Sequence, residues 1–102
     1  MLTRQQILNL TDKAMKEIEI PEWGGSVFIR GTTIDDLDYF ETIEKDSENF
    51  QKMIIRFVCD ESGAPIFSEE DLPLLRKKSI QAMKRILDSI LEFNSLGEAE
   101  KN

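Results

Sequence analysis

Asp60 to Asp71 comes nearest to a recognisable chemistry, because its span and acidic ends match a calcium loop of about 12 residues. The ligand slots fail. Ala64 occupies the fifth position, which must supply an oxygen, and Gly63 stands at the fourth position rather than the sixth, where the sharp turn is required. Glu17, Glu19 and Glu22 could serve as paired carboxylates for acid–base work, but strand alternation points Glu22 away from the other two. They read as solvated strand charges. Gly24-Gly25 is not followed by the lysine and hydroxyl residue of a phosphate loop. The chain has a single cysteine, Cys59, and no histidine, which removes Ser-His and Cys-His nucleophile pairs and the common zinc sites. Cys59 reads as an inert buried thiol in a core helix. The expectation is no catalytic residue, no metal and no cofactor, in a protein that is not an enzyme.

The 102 residues, 40% of them hydrophobic, suit a single compact domain spanning 1–97, with a mobile charged tail over 98–102. Net charge is −7, from 20 acidic and 13 basic residues, so no nucleic acid and no membrane surface is expected as a partner. One thiol allows no internal disulfide and is consistent with a reducing compartment. No apolar run approaches the roughly 20 residues of a membrane span, and Met-Leu-Thr-Arg-Gln-Gln lacks a signal-peptide pattern. A cytoplasmic location is expected.

The elements that position these residues are organised around 17–31, the one stretch with a clear β pattern. Gly24-Gly25 predicts a two-residue hairpin loop, since glycine takes positive φ without a Cβ clash. That loop would set Trp23 opposite Ser26, Glu22 opposite Val27, Ile20 opposite Ile29 and Glu19 opposite Arg30, giving an aliphatic pair on one face and an ion pair on the other. Pro21 cannot donate a ladder hydrogen bond and is expected on an outer edge.

Thr3 to Met15 predicts a short amphipathic helix with Ile7, Leu10 and Ala14 on a narrow apolar face, which must lean on the hairpin or a later helix. Thr33 and Asp36 suggest the capping box of a helix bearing Leu37, Phe40 and Ile43. A third helix, capped by Ser47 and running from about 48 to 59, carries Phe50, Met53, Ile54, Phe57 and Val58 as an inward stripe. Burying each such side chain is worth about 1.5 to 3 kcal/mol. Gly63 and Pro65 are expected to stop that helix. Ser68 opens a helix anchored by Leu72, Leu74 and Leu75, in which Pro73 forces a short helix, a kink or a start nearer Asp71. Ser79 precedes the longest periodic run, Ile80, Met83, Ile86, Leu87, Ile90, Leu91, Phe93 and Leu96, with Gly97 closing it. That stripe is wider than one partner helix needs, so it faces two neighbours, or one neighbour and another protein. The expected fold is α+β: one β-hairpin (about 17–30) packed against four or five helices.

Trp23 admits two readings. With Pro21 and Phe28 it either caps the core or forms an exposed aromatic anchor of the kind protein interfaces favour. Protein-binding candidates are Pro21, Trp23 and Phe28 on the hairpin, with Ile86, Ile90 and Phe93 on the last helix.

These residues also resemble a known family. Ile20-Pro21-Glu22-Trp23-Gly24-Gly25-Ser26-Val27-Phe28-Ile29-Arg30-Gly31, followed by a helix carrying Asp36, Phe40 and Glu41, is similar to the opening of the tail assembly chaperones of long-tailed bacteriophages. The run from Val58 through Cys59-Asp60-Glu61-Ser62-Gly63-Ala64-Pro65 to Leu72 resembles the family's second signature. Leu75 to Ser79 and a helix ending near Phe93-Asn94 resemble the third, so the likeness covers about residues 3 to 97. The resemblance implies a non-enzymatic, ATP-independent protein that coats the tape measure protein, keeps it soluble, helps recruit tail tube protein and is absent from the mature virion. It also implies that a ribosomal slip could yield a longer form, since codons for Glu100-Lys101-Asn102 can contain the run A-AAA-AAC. A homo-oligomer, ring or helical array, is compatible with an unpaired hairpin edge. The alternative from another class is a small acidic regulator that inhibits by mimicking nucleic acid.

Overall fold

The computed structural model describes residues 1–10 and 14–94. Among them, three strands and five α-helices follow one another as α1 (Arg4–Asn9), β1 (Met15–Ile20), β2 (Gly25–Arg30), α2 (Ile34–Ile43), α3 (Asn49–Phe57), β3 (Val58–Cys59), α4 (Leu72–Leu75) and α5 (Ile80–Phe93). This is the expected α+β architecture, with a third strand added to the hairpin. The anticipated tail at 98–102, Leu96 and the closing Gly97 lie outside the described residues.

The sheet is antiparallel in the order β1-β2-β3. Its register differs from the one the two glycines predict. Ile20 stands opposite Gly25, Ile18 opposite Val27 and Glu19 opposite Ser26, so neither the Ile20–Ile29 pair nor the Glu19–Arg30 ion pair forms. The reason is Pro21. With its fixed φ and missing N–H it opens a 3-10 turn over Pro21–Trp23, which Gly24 closes by donating its N–H to the Pro21 carbonyl at 3.2 Å with φ at 70°. The loop is therefore residues 21–24 and Gly25 is a strand residue; only Gly24 of the pair has positive φ. Ile20 has moved from Ile29 to Gly25, an even slip of four positions, and an even slip keeps every side chain on its face. Ile18, Ile20 and Ile29 are accordingly all buried together.

β3 was legible only as helix. Phe57 completes the helical spacing, but the next two residues straighten and pair with β2, Val58 opposite Ile29 and Cys59 opposite Phe28. What holds the chain there is a turn beyond the strand. Asp60 accepts from the backbone N–H of Ser62 at 2.8 Å and of Ala64 at 3.1 Å, Gly63 takes φ 90°, and Cys59 bridges to Pro65. Gly63 thus shapes a strand turn rather than a helix end.

Helix starts fall close to expectation. Thr3 and Gln6 cap α1 reciprocally, Thr33 and Asp36 cap α2, and the Ser79 hydroxyl accepts from the Ala82 N–H at α5. α3 begins one residue past Glu48, and the Asp46 carboxylate, not Ser47, accepts the Glu48 N–H while pairing with Lys52. Ser68 opens a 3-10 turn over Glu69–Asp71, after which α4 starts at Leu72 with Pro73 in its first turn.

α5 lies across the inner face of β1 and β2, and α3 packs beside it. Ala82, Met83, Ile86 and Ile90 of α5 close on Ile18, Ile20 and Ile29 of the sheet and on Ile54 and Phe57 of α3. The wide stripe is thus accounted for by two neighbours inside the chain. α1 behaves differently: it ends at Asn9 and buries none of its residues, so its narrow face does not find the expected support among the described residues.

Candidate partner-binding surface

Asp36 is the fixed point of the scaffold. Thr33 was read as its capping partner, and the structure adds two arginines. Asp36 is 1% exposed and accepts Arg30 in a fork, Nη1 at 2.8 Å and Nη2 at 2.9 Å, together with Nε of Arg56 and the backbone N–H and hydroxyl of Thr33. Arg30 also donates Nε to the Arg56 carbonyl at 3.1 Å, and its guanidinium lies 4.7 Å from the Phe57 ring centre, while that of Arg56 lies 4.2 Å from Tyr39. Burial alone would push the Asp36 carboxyl up; the Arg30 hydrogen bonds, the Thr33 N–H and Arg56 overcome it and hold it well below the usual carboxylate range. The end of β2, the start of α2 and the last turn of α3 are joined at this one side chain.

A second, exposed fork ties the hairpin turn to α5. Arg85 donates Nε and Nη2 to Glu22 at 3.1 and 3.0 Å, lowering the Glu22 carboxyl from its ordinary value. Flanking Glu22, Pro21 and Trp23 stand on the turn, and Trp23 is 36% exposed. The two do not share a strand face with Phe28. Phe28 is half-buried on the outer face of the sheet, opposite Glu17 and Cys59, where Glu17, Glu19 and Ser26 are exposed.

The last-helix candidates divide. Ile86 and Ile90 are fully buried against the sheet and α3, so they hold the core and present nothing to a partner; Phe93 is half-buried at its margin. The apolar surface that α5 offers is instead at its start. Ile80 is 71% exposed and Leu74 is 58% exposed, although the pattern placed both facing inward. Between them Arg76, Lys77 and Lys78 make the elbow from α4 to α5, and two shallow hollows of about 240 and 280 Å³ flank it, both bordered by Leu75 and Lys78. A run of three cations between apolar residues in an acidic chain was the available sequence sign. The N-terminal arm adds a further exposed apolar group in Leu2, Ile7, Leu8 and Leu10.

Cys59 is 2% exposed, and burial pushes its thiol up. Among the described residues no three His, Cys, Asp or Glu side chains are placed to hold a metal ion, and no helix is long and apolar enough to cross a membrane. What the surface can do chemically is make apolar and ionic contacts.

No protein-family model matches the chain, and no curated protein matches it. Among solved structures, the tail assembly chaperone of bacteriophage HK97 superposes with a TM-score of 0.64 at 19% sequence identity, over 86% of this chain and 89% of that one. The sheet, the helix laid across it and the helices around them are thus a shared arrangement, and this chain has the fold of a bacteriophage tail assembly chaperone.

Proposed function

We propose that this protein is a tail assembly chaperone that binds the tape measure protein in the host cytoplasm, keeps it soluble and helps recruit tail tube subunits, with no enzymatic step. The observation that carries this reading is the fold match to the HK97 chaperone over nearly the full length of both chains. Physical features support it. Holding an unassembled, apolar client requires exposed apolar surface on a carrier that itself stays dissolved, and this chain combines exposed Trp23, Ile7 and Leu8 with a net charge of −7. Client contact is assigned to the Pro21 and Trp23 turn, Phe28 on the outer sheet face, the N-terminal arm and the margin of α5 at Phe93. The arm is the adaptable part, because residues 1–10 are all exposed.

Co-expression with the tape measure protein encoded nearby, followed by size-exclusion chromatography with mass detection, tests the reading. A co-eluting complex that persists at about 1 M salt, where screening acts within about 3 Å, is the expected result. A tape measure protein that stays insoluble with this chain, and with any longer form of it, overturns the proposal. A complex that dissolves as salt rises would point to the acidic-mimic alternative.

A further inference from the structure

The sheet has two edges, and they are finished differently. Beyond β3 the chain returns on itself: the Val58 carbonyl accepts the Ile66 N–H at 3.4 Å, the Asp60 N–H donates to the Ala64 carbonyl at 2.9 Å, and Cys59 bridges to Pro65. The other edge is β1, six residues long. Its backbone directions follow from one bond. The Gly31 N–H donates to the Ala14 carbonyl at 2.8 Å, one step beyond the Met15–Arg30 pair, so Lys16, Ile18 and Ile20 turn their backbone groups toward β2. Met15, Glu17 and Glu19 turn theirs the other way, where no backbone hydrogen bond meets them among the described residues. The side chains of Glu17 and Glu19 are exposed on the outer face and form no ion pair among the described residues, while Ile18 and Ile20 are buried on the inner face.

We propose that the β1 edge takes an extended segment of a different protein as a fourth strand, a segment that carries lysine or arginine at alternate positions with aliphatic residues between them. Backbone recognition comes from the N–H and C=O groups of Met15, Glu17 and Glu19, which an added strand meets with its own ladder bonds. The charges decide the occupant. Side chains of an added strand fall directly beside those of β1 on the same face, so its outer positions stand next to Glu17 and Glu19 and its inner positions next to Ile18 and Ile20. A cation satisfies the first pair and an aliphatic side chain the second. The β1 edge of a second copy is the wrong occupant, since it would set Glu17 and Glu19 against the same two carboxylates, and like charges directly opposite are unfavourable. Pro21 sets the length of the site: with no N–H to donate, it ends the edge where the 3-10 turn begins.

The test uses the purified chain and a synthetic peptide, so it does not depend on the chaperone reading. The probe is a peptide of about eight residues alternating lysine with valine, added up to about 1 mM, and the readout is amide hydrogen exchange along β1 by NMR. In the free chain the amides of Lys16, Ile18 and Ile20 are expected to be protected and those of Met15, Glu17 and Glu19 to exchange freely. With the peptide, the second set is expected to slow at least about tenfold while the first set keeps its protection. Methylating the peptide nitrogens on the side that meets β1 should abolish the effect, and methylating those on the other side should not. Glu17→Lys with Glu19→Lys should reverse the preference, so that a peptide alternating glutamate with valine protects the edge and the lysine peptide does not. Slow exchange of Met15, Glu17 and Glu19 in the free chain would overturn the proposal, because the edge would then be covered already. So would a lysine peptide that binds without protecting those three amides, or one matched in its effect by a peptide of the same composition with lysines and valines in separate blocks; either would mean attraction to the net negative charge alone. A doubly substituted chain that is folded by circular dichroism and still prefers the lysine peptide overturns it as well.

Discussion

Asp36 and the elbow at Arg76–Lys78 are both sites where charge sits beside apolar side chains, and the chain treats them in opposite ways. At Asp36 the carboxylate is buried and every oxygen is satisfied by Arg30, Arg56 or Thr33. At the elbow three cations and two large aliphatic side chains are exposed, and the cations form no ion pair among the described residues. The difference teaches where stability and where binding reside. A buried charge contributes only while its partners stay, whereas an exposed unpaired cluster contributes little to folding and remains free to meet another surface.

Removing the buried charge is the largest test. Asp36→Ala leaves Arg30 and Arg56 without their acceptor, and chemical denaturation should show a loss of about 3 kcal/mol. That is the low end for a broken buried pair, because the two arginine side chains keep 30% and 29% of their surface in water. A loss too small to measure would mean that Asp36 is no hub.

Acid should reveal the same group in the unaltered chain. The folded Asp36 carboxyl is depressed relative to its unfolded value, so the unfolded state binds the proton first. Its contribution is complete above the unfolded pKa of about 4 and is lost as pH falls below that value. Denaturation midpoints between about pH 6 and pH 2 should therefore fall less steeply in Asp36→Ala than in wild type. Parallel profiles would assign acid sensitivity to other carboxylates.

Glu22→Gln is the intermediate case, a fork of similar geometry placed in solvent. A small fall in melting temperature is expected, vanishing in about 1 M salt, where surface pairs are screened. A large, salt-resistant fall would show that the hairpin turn depends on Arg85 more than its exposure allows.

The smallest effect should come from the elbow. Leu74→Ser and Ile80→Ser should each leave stability within about 0.5 kcal/mol of wild type by chemical denaturation. If either destabilised the fold by several times that amount, the elbow would be part of the core and the contrast with Asp36 would collapse.

Much of the architecture was legible as periodicity and caps. Ile86 and Ile90 lie on the inward face of α5, where helical spacing placed them, and Thr33, Ser68 and Ser79 begin their helices. The same spacing misjudged the surface. Ile80 and Leu74 match an apolar stripe, yet a stripe says which residues share a face and not where the neighbouring elements stop covering it. Ile86 and Ile90 were proposed as partner contacts because a wide stripe invites a second neighbour; that neighbour proved to be α3. Val58 and Cys59 were lost to helix because short apolar segments satisfy both periods, and the turn at Asp60 and Gly63 was the sign that a strand had ended.

By itself the sequence determined the helix starts, the α+β class and which strand residues share the buried face, since these depend on local hydrogen bonding and on a side-chain period that an even slip preserves. The hairpin register was local too, set by a proline turn that outweighs the glycine pair. Only the tertiary structure decided the third strand, the burial of Asp36 between two arginines and the exposure of the elbow. Each of those depends on what another part of the chain brings alongside: a free edge of β2, a pair of guanidiniums, and the place where the sheet and α3 end.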